Sequence, residues 1–145
     1  MTGDDKTFFN IQVKKLNDAG LSKDFSLFGD FRPESLGQFF KSLSVLSVPV
    51  LKGEAFGLYQ LESLASGVPL VQPALGAFPE IIGETGGGLL YEPNTPEALA
   101  ECLSSVLNDR ARMQQLSVSG RKAVEEKFDF GMLAVKMMEV YKNII

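Results

Sequence analysis

The chain has 145 residues, 45% hydrophobic and 22% charged, which suits one domain with its own core and argues against disorder. A net charge of −4 gives no electrostatic footprint for nucleic acid, so an anionic sugar-phosphate ligand would need a local positive site. Histidine is absent and Cys102 is the single cysteine, which excludes Ser-His and Cys-His nucleophilic pairs, histidine metal sites and internal disulfides. Cys102 reads as a structural thiol in a reducing compartment, so a cytoplasmic location is expected, at most against the inner face of a membrane. The opening MTGDDKTFFN reads as neither signal nor transit peptide, and no apolar run approaches the roughly 20 residues that cross a bilayer.

In chain order, Asp4 to Ala19 carries Phe8, Phe9, Ile11, Val13 and Leu16 at partly helical spacing, with Gly20 as a stop. Phe25-Ser26-Leu27-Phe28-Gly29 predicts a short strand and turn. Pro33 at a first helical position, followed by Leu36, Phe39, Phe40 and Leu43, predicts an amphipathic helix. Ser44-Val45-Leu46-Ser47-Val48 reads as a buried strand, Gly57 to Ser66 as a helix closed by Gly67, and Val68 to Gln72 as another buried strand. A short helix over Phe78–Gly83 follows, started by Pro79 and Glu80, then a strand over Gly88–Tyr91 and a turn at Pro93-Asn94. Thr95 caps a helix with Pro96 at its first position and Glu97 near the positive end of its dipole, running to about Leu107. Two further helices are expected, roughly Arg110 to Glu126 and Asp129 to Asn143. The alternation predicts an α/β fold, a Rossmann-like parallel sheet with helices on both faces, in one unit without repeats or linker.

In such sheets the ligand sits at the carboxyl ends of the strands, and Gly53-Glu54-Ala55-Phe56-Gly57 occupies that kind of loop. A helix opening at Phe56-Gly57 exposes its first N–H groups as an anion site, and Gly57 lets a phosphate approach the backbone. Glu54, just outside that N-terminus, can accept hydrogen bonds from the hydroxyls of a sugar. Glu62 lies inside the helix, about 7 Å along the axis from its first turn, an offset that suits the ribose of the same nucleotide. Leu58, Leu61, Leu64 and Ala65 are expected on the opposite, core face. Glutamates at this spacing also arise by chance as solvated surface acids, so the surrounding residues must decide.

From Pro49 to Gly57, then Glu62 and Ala65-Ser66-Gly67-Val68-Pro69, the chain resembles the signature of the retaining glycosyltransferases of family 4. There, E-x-F-G follows a strand-end proline, a second glutamate stands at the eighth position, and A-x-G-x-P closes the helix. Gly76-Ala77-Phe78-Pro79-Glu80, Gly88-Leu89-Leu90-Tyr91-Glu92-Pro93, Pro96-Glu97-Ala98-Leu99 and Phe128-Asp129-Phe130 resemble later segments of that family, and Phe28-Gly29-Asp30-Phe31 an earlier one. The resemblance implies the two-domain GT-B fold and a nucleoside-diphosphate-sugar donor, with no cofactor and no metal for the leaving group. It implies that Glu54 binds the donor sugar near the reacting carbon, as the catalytic-site acid. Phe56, Gly57 and Leu58 would offer N–H groups to phosphate and sugar, Glu62 would hold the ribose, and Gly29 and Phe31 would lie beside the base. Two departures stand out: Val50 follows the strand-end proline where serine is common, and Ala77 replaces the family's second glycine.

The resemblance also implies that an N-terminal acceptor domain and the first strands of the donor half, with an Arg/Lys pair for the diphosphate, would precede Met1. The chain is then expected to be a partial donor-binding domain, inactive alone, with Arg32 and Lys52 as the nearest substitute cations. The alternative is a non-catalytic binding or interaction module of the same fold. A sugar-nucleotide epimerase shares the architecture, but normally uses histidine and lacks E-x-F-G. Two strands of the family's sheet would stand between Phe25–Phe28 and Val45–Val48. Their absence implies either direct pairing of these two segments or a homodimer through the exposed sheet edge.

Overall fold

The computed structural model describes residues 6–26, 28 and 32–144, the side chains of Pro33 and Glu34 excepted. It divides into two units, residues 1–36 and 37–145. In the first, α1 (Lys6–Asp18) buries no residue, and its polar face carries a Lys14–Asp18 ion pair at 2.7 Å. Gly20, at φ +76°, closes it: the Gly20 and Leu21 N–H groups donate back to the carbonyls of Asn17 and Leu16, both at 2.9 Å. This left-handed closure requires glycine, which is why Gly20 signals the helix end. Leu27 and Gly29 of the expected strand lie outside the described residues. Phe25, Ser26 and Phe28 belong to no strand.

Helix α2 (Pro33–Lys41) starts at the expected proline and spans the division between units; its Phe40 is buried, with the Phe39 ring centroid 5.3 Å away. The second unit continues with α3 (Leu58–Ala65), β1 (Leu70–Pro73), α4 (Phe78–Thr85), β2 (Gly88–Tyr91), α5 (Pro96–Leu107), α6 (Arg110–Lys127) and α7 (Phe130–Lys142). Strands β1 and β2 pair in parallel, Leu70 opposite Gly88 and Pro73 opposite Tyr91. Adjacent residues of a strand face opposite sides, and here each side has its own core. Leu70 packs with Leu64 of α3, Ile82 of α4 and Val124 of α6. Val71 packs with Tyr91, Val106 of α5 and Met113 of α6. Helices therefore cover both faces, as the alternation of elements predicts.

The expected buried strand at Val45–Val48 is corrected to a single parallel bridge, Leu46 to Leu70. Leu46 donates to Pro69 O at 2.9 Å and accepts from Val71 N at 3.0 Å. The next N–H, that of Val48, goes to the side chain of Gln72 at Oε1, 2.9 Å away, instead of to a backbone carbonyl, and the ladder ends there. Residues 45–48 are half-buried, and their other edge meets no strand among the described residues.

Helix α4 runs two residues beyond Gly83. The Thr85 hydroxyl donates to the Ile81 carbonyl at 2.7 Å, and Gly86, at φ +59°, supplies the left-handed stop. Thr95 caps α5 by accepting from the Ala98 N–H, and Asp109 and Asp129 cap α6 and α7 in the same way. Helix α6 crosses close to the start of β2 because Gly120 and Gly87 face each other over Leu64. Helix α7 buries no residue, and Phe130 and Met138 stand exposed along it. Cys102 is half-buried beside the Val71 core, and burial pushes its thiol pKa up, which keeps it an inert packing group. No helix among the described residues is long and apolar enough to cross a membrane.

Candidate functional site

Two loops leave the carboxyl ends of neighbouring parallel segments, residues 49–57 after the Leu46 bridge and 74–77 after β1. Glycines bring them into backbone contact. A Cβ on Gly53 would stand 3.2 Å from the Gly76 nitrogen. A Cβ on Gly76, at φ +55°, would run into the Glu54 carbonyl oxygen and stand 2.6 Å from the Glu54 nitrogen. The Ala77 N–H donates to that carbonyl at 2.9 Å. The close backbone approach at this loop therefore falls on Gly76. Ala77 caps α4 at φ −78°, where a methyl group is accommodated.

The Glu54 side chain is half-buried and held at both oxygens. Oε1 accepts from the Ala55 N–H at 2.9 Å and Oε2 from the Tyr59 hydroxyl at 3.1 Å. Burial first, then the hydrogen bond to Glu54 and its negative charge, hold the Tyr59 phenol protonated well beyond the usual tyrosine range.

Gly57 is the N-cap of α3, at φ +75°, and no side chain caps the helix. A Cβ at Gly57 would lie 2.8 Å from Gln60 Nε2, 2.9 Å from Glu54 Cγ and 3.1 Å from Tyr59 Cζ, so conformation and space both require glycine. Gln60 fixes the turn, its N–H donating to Gly57 O at 2.9 Å and its Nε2 to Phe56 O at 2.8 Å. The N–H groups of Leu58 and Tyr59 have no protein acceptor among the described residues, which leaves the positive end of the helix open to an anion.

Glu62 is half-buried, about 6 Å along the axis from Leu58, on the face it shares with Leu58 and Tyr59. Its carboxylate has no hydrogen-bond or ion-pair partner among the described residues. Leu61 and Leu64, 8% and 0% exposed, form the core stripe as expected. Leu58, 51% exposed, and Ala65 do not. Leu58 sits in the first turn at the loop mouth and Ala65 is the last residue of the helix.

Gly29 and Phe31, expected beside a base, lie outside the described residues. Lys52 is exposed, and Arg32 belongs to the first unit. Among the described residues no group of three or more acids or cysteines could hold a metal ion. An apolar hollow of about 210 Å³, lined by Pro49, Val50, Leu51, Tyr91, Pro96 and Leu99, opens where the 49–57 loop begins. A larger hollow of about 470 Å³ lies between Ser66-Gly67 and α6 residues such as Arg121, at the opposite end of α3 from the open N–H groups. Tyr59 carries no signal in a spacing pattern, and the contact of Gly76 with Glu54 is made only by the folded loops.

The architecture is the Rossmann-like α/β fold of the GT-B glycosyltransferases. It matches the structure of sucrose-phosphate synthase from Thermosynechococcus elongatus with a TM-score of 0.84 and 26% identity, over 99% of this chain and 35% of that one. A TM-score of 0.86 relates it in fold to Anabaena HepE solved with UDP, at 17% identity over 98% of this chain and 38% of that one. Residues 3–123 match the family described as glycosyl transferases group 1, and the chain belongs to that family. An uncharacterized glycosyltransferase of Methanocaldococcus jannaschii is 30% identical over 109 residues, 75% of this chain and 28% of its own length. The chain thus spans about a third of the length of the relatives it matches.

Proposed function

We propose that this chain forms the donor-binding part of a retaining glycosyltransferase of family 4, with a nucleoside-diphosphate sugar as donor. The observation that carries the reading is the joining of an anchored acid, Glu54, to the uncapped N-terminus of α3 in one strand-end loop, with unpartnered Glu62 on the same helix. The diphosphate lies against the N–H groups of Phe56, Gly57 and Leu58, the ribose hydroxyls donate to Glu62, and the sugar hydroxyls donate to Glu54. The assignment of Gly29 and Phe31 to the base rests on the family resemblance alone. In the transfer itself the anomeric carbon–oxygen bond breaks, the diphosphate leaves with the electron pair, an acceptor hydroxyl oxygen bonds to that carbon on the same face, and the hydroxyl proton passes to the departing diphosphate.

Such a reaction needs an acceptor held against the anomeric carbon and cations on the leaving diphosphate. We assign both to regions working with this one, so the chain binds donor and by itself does not transfer. The Anabaena neighbour, solved also with UDP-glucose, supports the choice of that sugar nucleotide as the first probe.

The test is mutagenesis in the full-length protein containing these residues. Glu62→Ala should weaken nucleotide binding by roughly 1.5–3 kcal/mol, the scale of hydrogen bonds to a charged group. Glu54→Ala should reduce turnover more than nucleotide affinity. Unchanged affinity and turnover in both variants would remove the assignment.

A further inference from the structure

The Glu54 carboxylate is aimed by its own surroundings. A glutamate side chain with several rotatable bonds samples many positions unless contacts fix it. Here Oε1 is tied to the adjacent backbone at Ala55 and Oε2 to the Tyr59 hydroxyl, in the first turn of α3. The same turn carries the open N–H groups, so one rigid element sets the positions of both the acid and the anion site. The Tyr59 ring is seated against Gly57, where a Cβ would stand 3.1 Å from its Cζ. Nothing in the E-x-F-G spacing singles out this tyrosine, which follows Leu58 in the chain.

We propose that Tyr59 is a positioning residue for the donor sugar: its hydroxyl holds the Glu54 carboxylate in the orientation that meets the sugar hydroxyls. The inference rests on the reading of Glu54 as a sugar-binding acid. Burial and the Glu54 carboxylate raise the pKa of the phenol, so it keeps the proton it donates. A carboxylate oxygen has lone pairs to spare after accepting one hydrogen bond, so a sugar hydroxyl can share Oε2 with Tyr59. The opposite arrangement, in which the tyrosine hydroxyl stands in for a sugar hydroxyl and is displaced by it, predicts an effect of opposite sign.

The experiment is calorimetric titration of the full-length protein containing these residues with UDP-glucose and, separately, with UDP. The proteins compared are the unmutated form, Tyr59→Phe, Glu54→Ala and the double variant. Tyr59→Phe keeps the ring on Gly57 and removes only the hydroxyl. It should raise the Kd of UDP-glucose by about tenfold, the lower end of what a hydrogen bond to a charged group carries, and leave that of UDP unchanged. In the Glu54→Ala background it should have no further effect, because the partner it acts through is gone. A purely structural tyrosine would weaken both ligands alike and keep its effect in that background. Equal losses for the two ligands, no change for UDP-glucose, or tighter binding of UDP-glucose would each overturn the positioning role. If Glu54→Ala itself leaves the preference for UDP-glucose over UDP intact, the sugar-binding reading of Glu54 falls, and the role of Tyr59 with it. Binding of neither ligand to the unmutated protein would remove the donor site as a whole.

Discussion

Replacing Gly76 by alanine tests whether the two strand-end loops are joined as described. At φ +55° the backbone of Gly76 costs an L side chain about 1–2 kcal/mol. The new methyl would also run into the carbonyl oxygen of Glu54 and stand 2.6 Å from its nitrogen, and backbone atoms cannot swing aside as a side-chain tip can. Relief requires residues 53–57 to retreat, which stretches the 2.9 Å bond from the Ala77 N–H to the Glu54 carbonyl. Overpacking of this kind costs about 1–3 kcal/mol. The two effects together give about 2–5 kcal/mol, or a fall in Tm of roughly 6–20 °C for a chain of this size. Urea unfolding followed by circular dichroism measures the cost, with Ala77→Gly as the control. Position 77 has φ −78° and lies at a helix N-cap, so that exchange should cost less than about 1 kcal/mol. A Gly76→Ala protein as stable as the unmutated one would refute the contact between the loops.

Other consequences can be measured in the same way. Gly120→Ala should destabilise by about 1–3 kcal/mol, because its methyl would stand 2.6 Å from Leu64 Cδ2 and 2.9 Å from the Gly87 α-carbon; an unchanged urea midpoint would contradict this crossing. Asp109→Ala should cost about 1 kcal/mol by removing the 2.9 Å cap on the Arg112 N–H, read as a lower urea midpoint. Burial is the first cause raising the pKa values of Tyr59, Tyr91 and Cys102 above their ordinary 10.0, 10.0 and 9.0. The folded chain thus holds protons that the unfolded chain has released, so this stability is full below pH 9.0 and is lost progressively as pH rises above 9.0 and 10.0 toward the raised folded values. Unfolding midpoints should therefore fall as pH is raised above about 9, and a rising midpoint would contradict the sign. The open edge of residues 45–48 should join two copies of the chain as a symmetric dimer at micromolar concentration, which light scattering reads directly; a strict monomer rules it out.

The sequence is most legible where the determinants are local. Thr95-Pro96 marks the start of α5 because an N-cap and a first-position proline need only their own turn. Gly88–Tyr91 is recovered as β2 because its glycines and apolar run are bounded by a turn. Legibility fails where the determinant is a distant partner. Residues 45–48 have the composition of a buried strand, yet a strand needs neighbours, and Gln72 ends the pairing with its side chain. Gly83 looks like a helix stop, but Thr85 and Gly86 supply the closure. The acids at 54 and 62 are legible as a pattern. The hydroxyl that holds Glu54 is not, because Tyr59 reaches it only through the Gly57 turn, and the contact of Gly76 with Glu54 is made between loops separated by β1.

Amide-resolved NMR titration of the chain with UDP-glucose shows, residue by residue, where a donor binds. Donor binding at this loop gives saturable shifts at Phe56, Gly57 and Leu58, extending to Glu62 and to Gly76 and Ala77 through the bond to Glu54, and reduced by Glu62→Ala. Shifts confined to the hollow between Ser66 and Arg121, or no saturable shift at all, would contradict it.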